Sequence, residues 1–196
     1  MSHRVNPAYR FLIVHGALGS SQSNWFPWLK SELEKKGHKV FTPDFPTPEN
    51  QNLQAWREVF YRELGQLTKK DILIGHSVGV AFLLKILQEL SQPIAGCFLL
   101  AGFISKVNLE PYDTVNKTFI APPFNWEKIK KTGGMMHIYA GDNDPYVPLD
   151  KTEIIAKNLQ LDLKIIPGGE HLNQESGHTS IPFLYDDIIA MVANAH

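Results

Sequence analysis

Short apolar runs alternate with longer amphipathic segments along the whole 196-residue chain. Each short run is rich in residues that favour β-strands, and each is closed by Gly, Pro or Asp, which is typical of a strand that enters a turn. The pattern predicts six strands, over residues 9–15, 39–42, 71–75, 95–101, 136–140 and 163–166.

The segments between the predicted strands carry apolar residues at helical spacing. In the first segment this spacing begins at Trp25 and stops at Gly37, and in the second it begins at Trp56. Six strands separated by helices predict a parallel sheet with helices on both faces, a three-layer α/β/α sandwich, because parallel neighbours need a crossover connection. Further helices are predicted over residues 78–90, 149–159 and 181–193.

The connection over residues 102–134 departs from this regular alternation. It contains three prolines and only one convincing helical piece, at residues 126–131. A long irregular insertion in a compact domain is usually functional or disordered, and its aromatic residues favour packing onto the rest of the molecule. We therefore predict that residues 1–196 form a single domain, with 102–134 as a lid-like insertion and without a large cap domain.

Composition and charge narrow the range of partners. The chain has 43% apolar and 20% charged residues, and 19 basic against 20 acidic side chains give a net charge of -1. This balance gives no electrostatic reason to expect nucleic acid or an anionic membrane. Residues 1–10 lack the apolar stretch of a signal peptide, and the single cysteine, Cys97, fits a reducing compartment. We expect a cytoplasmic protein without nucleic-acid or membrane partners, and the sequence leaves monomer or dimer open.

The segment Gly75-His76-Ser77-Val78-Gly79 stands between a predicted strand and a predicted helix. A serine on such a sharp turn exposes its hydroxyl, and the flanking glycines are needed because a β-carbon would collide with the turn. The following helix directs free amides and the positive end of its dipole toward the serine. The segment predicts Ser77 as a nucleophile and His76 as a structural residue of the turn. The alternative interpretation is a serine N-cap between turn glycines.

A nucleophilic serine needs a histidine base and an acid that orients the histidine. Asp142 and Asp144 both follow the predicted strand 136–140. We favour Asp144, because a residue further along the loop can reach across to the histidine, whereas Asp142 is placed to make an Asx turn. His171 follows the last predicted strand directly, and His178 is the alternative base.

The loop after the first predicted strand, residues 15–21, is expected to complete an oxyanion hole. We predict that the backbone amides of Ala17 and Val78 are its donors, although the loop is also consistent with a Gly-rich turn that has no catalytic role. The loop matches neither the dinucleotide-binding nor the phosphate-loop pattern. The chain also lacks paired cysteines and the ligand spacing of common metal sites. We therefore predict no cofactor and no metal.

Taken together, these motifs resemble the α/β-hydrolase superfamily over nearly the whole chain. The motifs that carry the resemblance are a strand followed by His15-Gly16, the turn around Ser77, Asp144 followed by Val147-Pro148, and His171. The short length and the segments 24–28, 124–129 and 144–148 are similar to the small serine hydrolases of the retinoblastoma-binding protein 9 and YdeN type.

This resemblance implies a minimal α/β-hydrolase fold that lacks the first two strands of the superfamily. It also implies a triad of Ser77, Asp144 and His171, and hydrolysis of small carboxylic esters or related acyl compounds. We carry over no retinoblastoma partner, because the Leu-x-Cys-x-Glu contact is absent around Cys97.

We therefore expect a serine esterase that cleaves a small-molecule acyl substrate through an acyl-enzyme intermediate. An acyltransferase or a peptidase would use the same triad, and a non-catalytic binding module would present the aromatic insertion as an interface. Four aromatic side chains are predicted to bind a small apolar acyl group: Trp25, Phe119, Phe124 and Trp126.

Overall fold

Six β-strands form one parallel sheet in the computed structural model, which describes residues 8–194. The strand order is β2-β1-β3-β4-β5-β6, and each neighbouring pair is parallel. The strands are β1 (Arg10–Val14), β2 (Lys39–Phe41), β3 (Asp71–His76), β4 (Gly96–Leu100), β5 (Met135–Gly141) and β6 (Leu163–Ile166). All six predicted strands are present, and their ends differ from the predicted ends by at most one residue.

Helices cover both faces of the sheet in the described part of the chain. Side chains of α1 and α7 pack on one face, and those of α2, α3, α5 and α6 pack on the other. This arrangement confirms the predicted three-layer sandwich. The helices are α1 (Phe26–Lys35), α2 (Leu53–Leu64), α3 (Val78–Leu87), α4 (Tyr112–Asn116), α5 (Trp126–Thr132), α6 (Leu149–Leu159) and α7 (Pro182–Asn194).

Each sheet face has its own apolar core, because successive side chains of a strand point to opposite faces. In β1, Phe11 and Ile13 join the core under α1 and α7, whereas Leu12 and Val14 join the core under α2 and α3. β1 lies between β2 and β3. The chain therefore adds β2 on one side of β1 and then adds β3 and the later strands on the other side. Ligands of open parallel sheets bind at such a switch point, at the carboxyl ends of the strands.

The insertion over residues 102–134 is held against α3. All ten residues of α3 are buried, and Lys85 is the only charged residue among them. Its Nζ donates hydrogen bonds to the carbonyl oxygens of Ala121 and, at 3.0 Å, Pro123. The insertion contains α5, as predicted, and also the short α4, which was not predicted. None of the helices described within residues 8–194 has both the length and the apolar character of a membrane span.

Candidate active site

Ser77 occupies the sharp turn between β3 and α3. Its backbone lies in the left-handed region, with φ of 58°, which is costly for a residue other than glycine. The Ser77 N–H donates a 2.9 Å hydrogen bond to the Leu100 carbonyl at the end of β4. The neighbouring strand therefore holds the turn in the strained conformation that the sequence pattern predicts for an exposed nucleophile.

Gly79 lets α3 approach β1 closely enough to form this turn. A β-carbon at Gly79 would lie 2.7 Å from the Val14 carbonyl oxygen and 2.9 Å from that of His15. At Gly75 a β-carbon would lie 3.0 Å from the Gly79 carbonyl carbon. Both glycines of the motif are therefore required by close backbone contacts, as the sequence analysis predicted.

The Asp144 carboxylate binds the His171 ring directly. Its Oδ2 lies 2.7 Å from His171 Nδ1, and its Oδ1 accepts the N–H groups of Tyr146 and Val147 at 2.8 and 2.9 Å. Burial alone would raise the pKa of Asp144, but the hydrogen bonds from His171 and the two amides outweigh burial and lower it. Asp144 is therefore ionised near neutral pH and aligns the imidazole through Nδ1.

The two alternative residues do not take part in this contact. Asp142 is exposed, and its Oδ1 accepts the Gly168 N–H at 2.8 Å, which links the ends of β5 and β6. The expected Asx turn is therefore wrong for Asp142; the Asx-type contacts belong to Asp144. His178 is half-buried and lies outside the cavity described below.

The side chain of His76 supports the backbone of His171 through a hydrogen bond. Its Nε2 lies 2.8 Å from the His171 carbonyl oxygen, so Nε2 carries the proton, and the two rings are 4.8 Å apart. Burial, followed by the neighbouring His171, lowers the pKa of His76 to about 3. His76 is thus a neutral, buried support, which agrees with its predicted structural role in the turn.

Two backbone amides near Ser77 are free to bind an anion. Gly16 packs against Ser77 so closely that a β-carbon on Gly16 would lie 2.9 Å from Ser77 Cβ, and Ala17 follows it. Val78 is the first residue of α3, where no intrahelical acceptor exists. Within residues 8–194 neither the Ala17 nor the Val78 N–H has a hydrogen-bond acceptor. Both predicted donors therefore remain available to an oxyanion.

The His15 side chain holds the loop that contains Ala17. The Phe45 N–H donates to His15 Nε2 at 2.9 Å, so the proton lies on Nδ1, which donates to the Gly16 carbonyl at 2.7 Å. Burial is the largest influence on His15 and lowers its pKa, which keeps the ring neutral. His15 belongs to a predicted motif, but no role was predicted for its side chain.

A cavity of about 630 Å³ joins these groups, with Ser77, His171 and Ala17 in its wall. Its other lining residues were not predicted, although most follow the carboxyl end of a strand, and that position was the signal available in the sequence. They include Leu18, Ser23, Asn24, Phe103, Val107, Tyr112, Asn116, Tyr146, Val147, Asn173 and Glu175. At the mouth, the Tyr146 hydroxyl donates to Glu175 at 2.6 Å.

The structure places none of the four predicted aromatic side chains in this cavity. Trp25 is fully buried beside α1, where its Nε1 donates to the Leu172 carbonyl at 2.9 Å. Phe119 is also fully buried and contacts Trp56, with ring centres 4.7 Å apart. Their predicted role in substrate binding is wrong, because both rings fill the apolar cores.

Phe124 and Trp126 lie in a different place on the insertion. Their rings stack 5.5 Å apart, and Lys85 Nζ lies 3.8 Å from the centre of the Phe124 ring. Both side chains line a separate cavity of about 570 Å³. Their predicted contact with the acyl group is therefore wrong as well, because neither side chain lines the cavity that Ser77 lines, and Phe124 instead packs against Lys85 of α3.

Other reactive groups are either buried or dispersed. Cys97 is fully buried, and burial raises the pKa of its thiol, so it is an inert core residue, as the sequence analysis expected. Among the residues that the structure describes, no three His, Cys, Asp or Glu side chains are grouped in a way that could hold a metal ion. The side chain of Ser77, the candidate nucleophile, lines the cavity of about 630 Å³.

The profile of the family described as serine hydrolase matches residues 11–189. The chain belongs to the serine hydrolase family. Within this family, it is 27% identical to YdeN of Bacillus subtilis over 176 residues, which cover 89% of this chain and 91% of YdeN. It is 24% identical to serine hydrolase RBBP9 of Rattus norvegicus over 153 residues, which cover 77% of this chain and 80% of RBBP9.

Solved structures extend the likeness to the fold. The ydeN gene product of B. subtilis matches with a TM-score of 0.88 and 25% identity, over 95% of this chain and all of that chain. The methylesterase MES16 from Arabidopsis matches with a TM-score of 0.68 and 16% identity, over 95% and 99% of the two chains. The predicted α/β-hydrolase fold and the resemblance to the YdeN and RBBP9 proteins are confirmed.

Proposed function

We propose that this serine hydrolase is a carboxylesterase that cleaves small acyl esters with Ser77, His171 and Asp144. The proposal rests on the 2.7 Å contact between Asp144 Oδ2 and His171 Nδ1, at a cavity that Ser77 also lines. A carboxylate bound to Nδ1 leaves His171 Nε2 free for the serine and stabilises the imidazolium that forms. The fold of the methylesterase MES16 supports an ester as the substrate.

In the first half of the reaction, His171 Nε2 takes the Ser77 proton while Ser77 Oγ bonds to the ester carbonyl carbon. The N–H groups of Ala17 and Val78 hold the negative oxygen of the tetrahedral intermediate. The bond to the leaving oxygen then breaks as His171 returns its proton to that oxygen. An alcohol departs, and the acyl group stays on Ser77 as an ester.

In the second half, a water molecule gives one proton to His171 Nε2 and its oxygen bonds to the same carbonyl carbon. The same two amides hold the oxyanion. When the bond to Ser77 Oγ breaks, His171 returns the proton to Oγ, and a carboxylic acid leaves. The enzyme is restored without any cofactor.

The test is covalent labelling with a fluorophosphonate, because only a serine activated by a base and an oxyanion hole reacts readily with this probe. We expect mass spectrometry to locate the adduct on Ser77 and hydrolysis of p-nitrophenyl butyrate to disappear in Ser77→Ala. Labelling should also be lost in His171→Ala and kept in the matched variant His178→Ala. An unlabelled but folded protein, or full esterase activity in Ser77→Ala, would overturn the proposal.

A further inference from the structure

Asn116 presents a buried amide group to the active-site cavity. It is the last residue of α4, its side chain and backbone together are 1% exposed, and it lines the cavity. Its Oδ1 accepts a hydrogen bond from Gln51 Nε2 at 2.6 Å. Its Nδ2 donates to no atom of residues 8–194. Because Asn116 lines the cavity, this N–H is open to a ligand there, and a ligand that covers it without offering an acceptor would leave a buried donor unpaired, which is costly.

A chain of hydrogen bonds links Asn116 to the loop after β1. The Leu18 N–H donates to Thr47 Oγ1 at 2.8 Å, and the Thr47 hydroxyl donates its own proton to Gln51 Oε1. Gln51 Nε2 in turn donates to Asn116 Oδ1. In this arrangement Asn116 directs its Nδ2, rather than its oxygen, toward the cavity.

The position of Asn116 relative to His171 decides which part of an ester it meets. His171 must protonate the leaving oxygen, so the leaving group lies beside the His171 ring. The loop of His171 belongs to the sheet face of α1, because the buried Leu172 packs there and its carbonyl accepts from Trp25. Gln51 ties Asn116 to the segment before α2, on the other face. An acyl chain that points away from the His171 ring, toward the side of α2, meets Asn116.

Apolar and aromatic side chains of the same insertion also line the cavity. Phe103 and Val107 are buried and line it. Tyr112, one helical turn before Asn116, directs its ring toward Tyr146, with centres 6.0 Å apart. A fixed donor such as Asn116 Nδ2 separates ligands with an acceptor from those without one, because an N–H that a ligand buries unmatched is costly.

We propose that Asn116 is a specificity residue that donates a hydrogen bond from Nδ2 to an acceptor oxygen within the acyl chain of the substrate. The preferred acyl groups are short chains that carry an ether, keto or hydroxyl oxygen, rather than plain alkyl chains. This inference rests on the proposed esterase function and adds the chemical class of the acyl group. Gln51 acts as a positioning residue, because it orients Asn116 without lining the cavity.

The test uses p-nitrophenyl hexanoate and its 3-oxa, 4-oxa and 5-oxa analogues, in which one methylene is replaced by oxygen. For each enzyme, kcat/KM of an analogue is divided by kcat/KM of the hexanoate, and this ratio is compared with that of the wild type. The intrinsic reactivity of each ester cancels in the comparison. In Asn116→Leu we expect the ratio of at least one analogue to fall by about 3- to 10-fold, mainly through KM.

Two further variants make the result specific. Asn116→Leu leaves Gln51 Nε2 without its acceptor, so Asn116→Asp serves as a second variant that keeps an acceptor for Gln51 and replaces the donor with a charged oxygen. We expect the same loss of preference in Asn116→Asp. Asn158→Leu is the matched control, because Asn158 donates to the Ile154 carbonyl in α6 and lies outside the active-site cavity. Its ratios should equal those of the wild type.

The outcomes distinguish this inference from the proposed function. Unchanged ratios for all three analogues in both Asn116 variants would overturn the role of Asn116 while hydrolysis of the hexanoate keeps the esterase function intact. If the wild type neither hydrolyses the hexanoate nor reacts with the fluorophosphonate, the proposed function fails and the inference fails with it.

Discussion

At the scale of single residues, the proposed reaction depends most clearly on the carboxylate of Asp144. Both carboxylate oxygens are engaged, one with His171 and one with two backbone amides. In Asp144→Asn, an amide in place of the carboxylate would stabilise the wrong histidine tautomer and would not stabilise the imidazolium. We expect kcat for p-nitrophenyl butyrate to fall by about 10⁴-fold, measured with protein whose folding is checked by circular dichroism.

Asp142→Asn is the matched control for this variant. Asp142 differs from Asp144 by two positions, is exposed, and uses its Oδ1 to accept the Gly168 N–H, which an asparagine Oδ1 also accepts. Its kcat should stay within about 2-fold of the wild type, since surface substitutions rarely cost more than about 0.5 kcal/mol. Equal losses in the two variants would contradict the assignment of the acid.

Residues whose type the proposed reaction requires leave a stronger signal in the sequence than residues that would only contact a substrate. Ser77, Asp144 and His171 have required types and follow the ends of strands, so sequence order restricts them to few positions. Trp25 and Phe119 were chosen because they are aromatic, but aromatic character predicts burial without saying which core is filled. Asn116 was missed because its orientation depends on Gln51, 65 positions away. Such a contact leaves no local signal.

At the scale of elements, the contact between α3 and β1 determines the position of the nucleophile. In Gly79→Ala the new β-carbon would lie 2.7 Å from the Val14 carbonyl, so α3 must move away from β1. We expect a loss of about 1–3 kcal/mol in the free energy of unfolding and about 100-fold in kcat, because Ser77 moves with α3. Urea unfolding and steady-state kinetics measure the two effects.

Gly133→Ala is the control, since its β-carbon meets chiefly the flexible end of Met136 at 2.6 Å, and its φ of -73° suits alanine. Both quantities should remain close to those of the wild type. If Gly79→Ala behaves like Gly133→Ala, the close approach of α3 to β1 is not what holds the turn.

The contact between α3 and the insertion is a second determinant at this scale. Lys85→Met would remove the hydrogen bonds to Ala121 and Pro123 and the cation above the Phe124 ring. Amide exchange over residues 117–124 should become at least about 10-fold faster, because hydrogen bonds from a charged donor contribute about 1.5–3 kcal/mol. Hydrogen exchange with mass spectrometry reports this segment directly.

Lys128→Met provides the comparison, because within the described residues the Lys128 side chain makes no hydrogen bond or ion pair. Exchange over residues 117–124 should not change in this variant. Unchanged exchange in Lys85→Met would show that other contacts hold the insertion.

Regular elements were predicted better than the insertion for a physical reason. The central strands β1, β3 and β4 are buried on both faces and therefore read as apolar runs, and α6 was predicted with its bounds at Leu149–Leu159. The sequence of α4, YDTVN, is too short to show helical periodicity. α3 ends at Leu87 rather than at the predicted residue 90, because Leu90 extends the apolar spacing beyond the end of the helix.

At the scale of the whole molecule, buried neutral histidines make stability depend on pH. His76 has a pKa of about 3 in the folded protein against an ordinary 6.5. Below pH 6.5 the unfolded chain therefore binds a proton that the folded protein does not, so the stabilisation is complete above pH 6.5 and is lost as the pH falls. The lowered pKa values of His15, His38 and His137 act in the same direction.

The variant His76→Gln isolates this contribution, because glutamine keeps a side-chain N–H for the His171 carbonyl but does not titrate. Between pH 6.5 and 4.5 the free energy of unfolding of the wild type should fall more steeply than that of His76→Gln, by up to about 1.4 kcal/mol per pH unit. Urea unfolding at several pH values measures both slopes. Parallel slopes would mean that His76 is protonated in the folded protein.

The hydrogen bond from His76 to the His171 carbonyl has a mechanical consequence. His76 and Ser77 are consecutive, so the same segment that carries Ser77 also supports the backbone of His171. Thermal motion at the carboxyl end of β3 then displaces Ser77 and His171 together, so the distance between the two residues changes little. We expect catalysis to persist on heating until the molecule unfolds as a whole, instead of declining earlier through separate loosening of two loops.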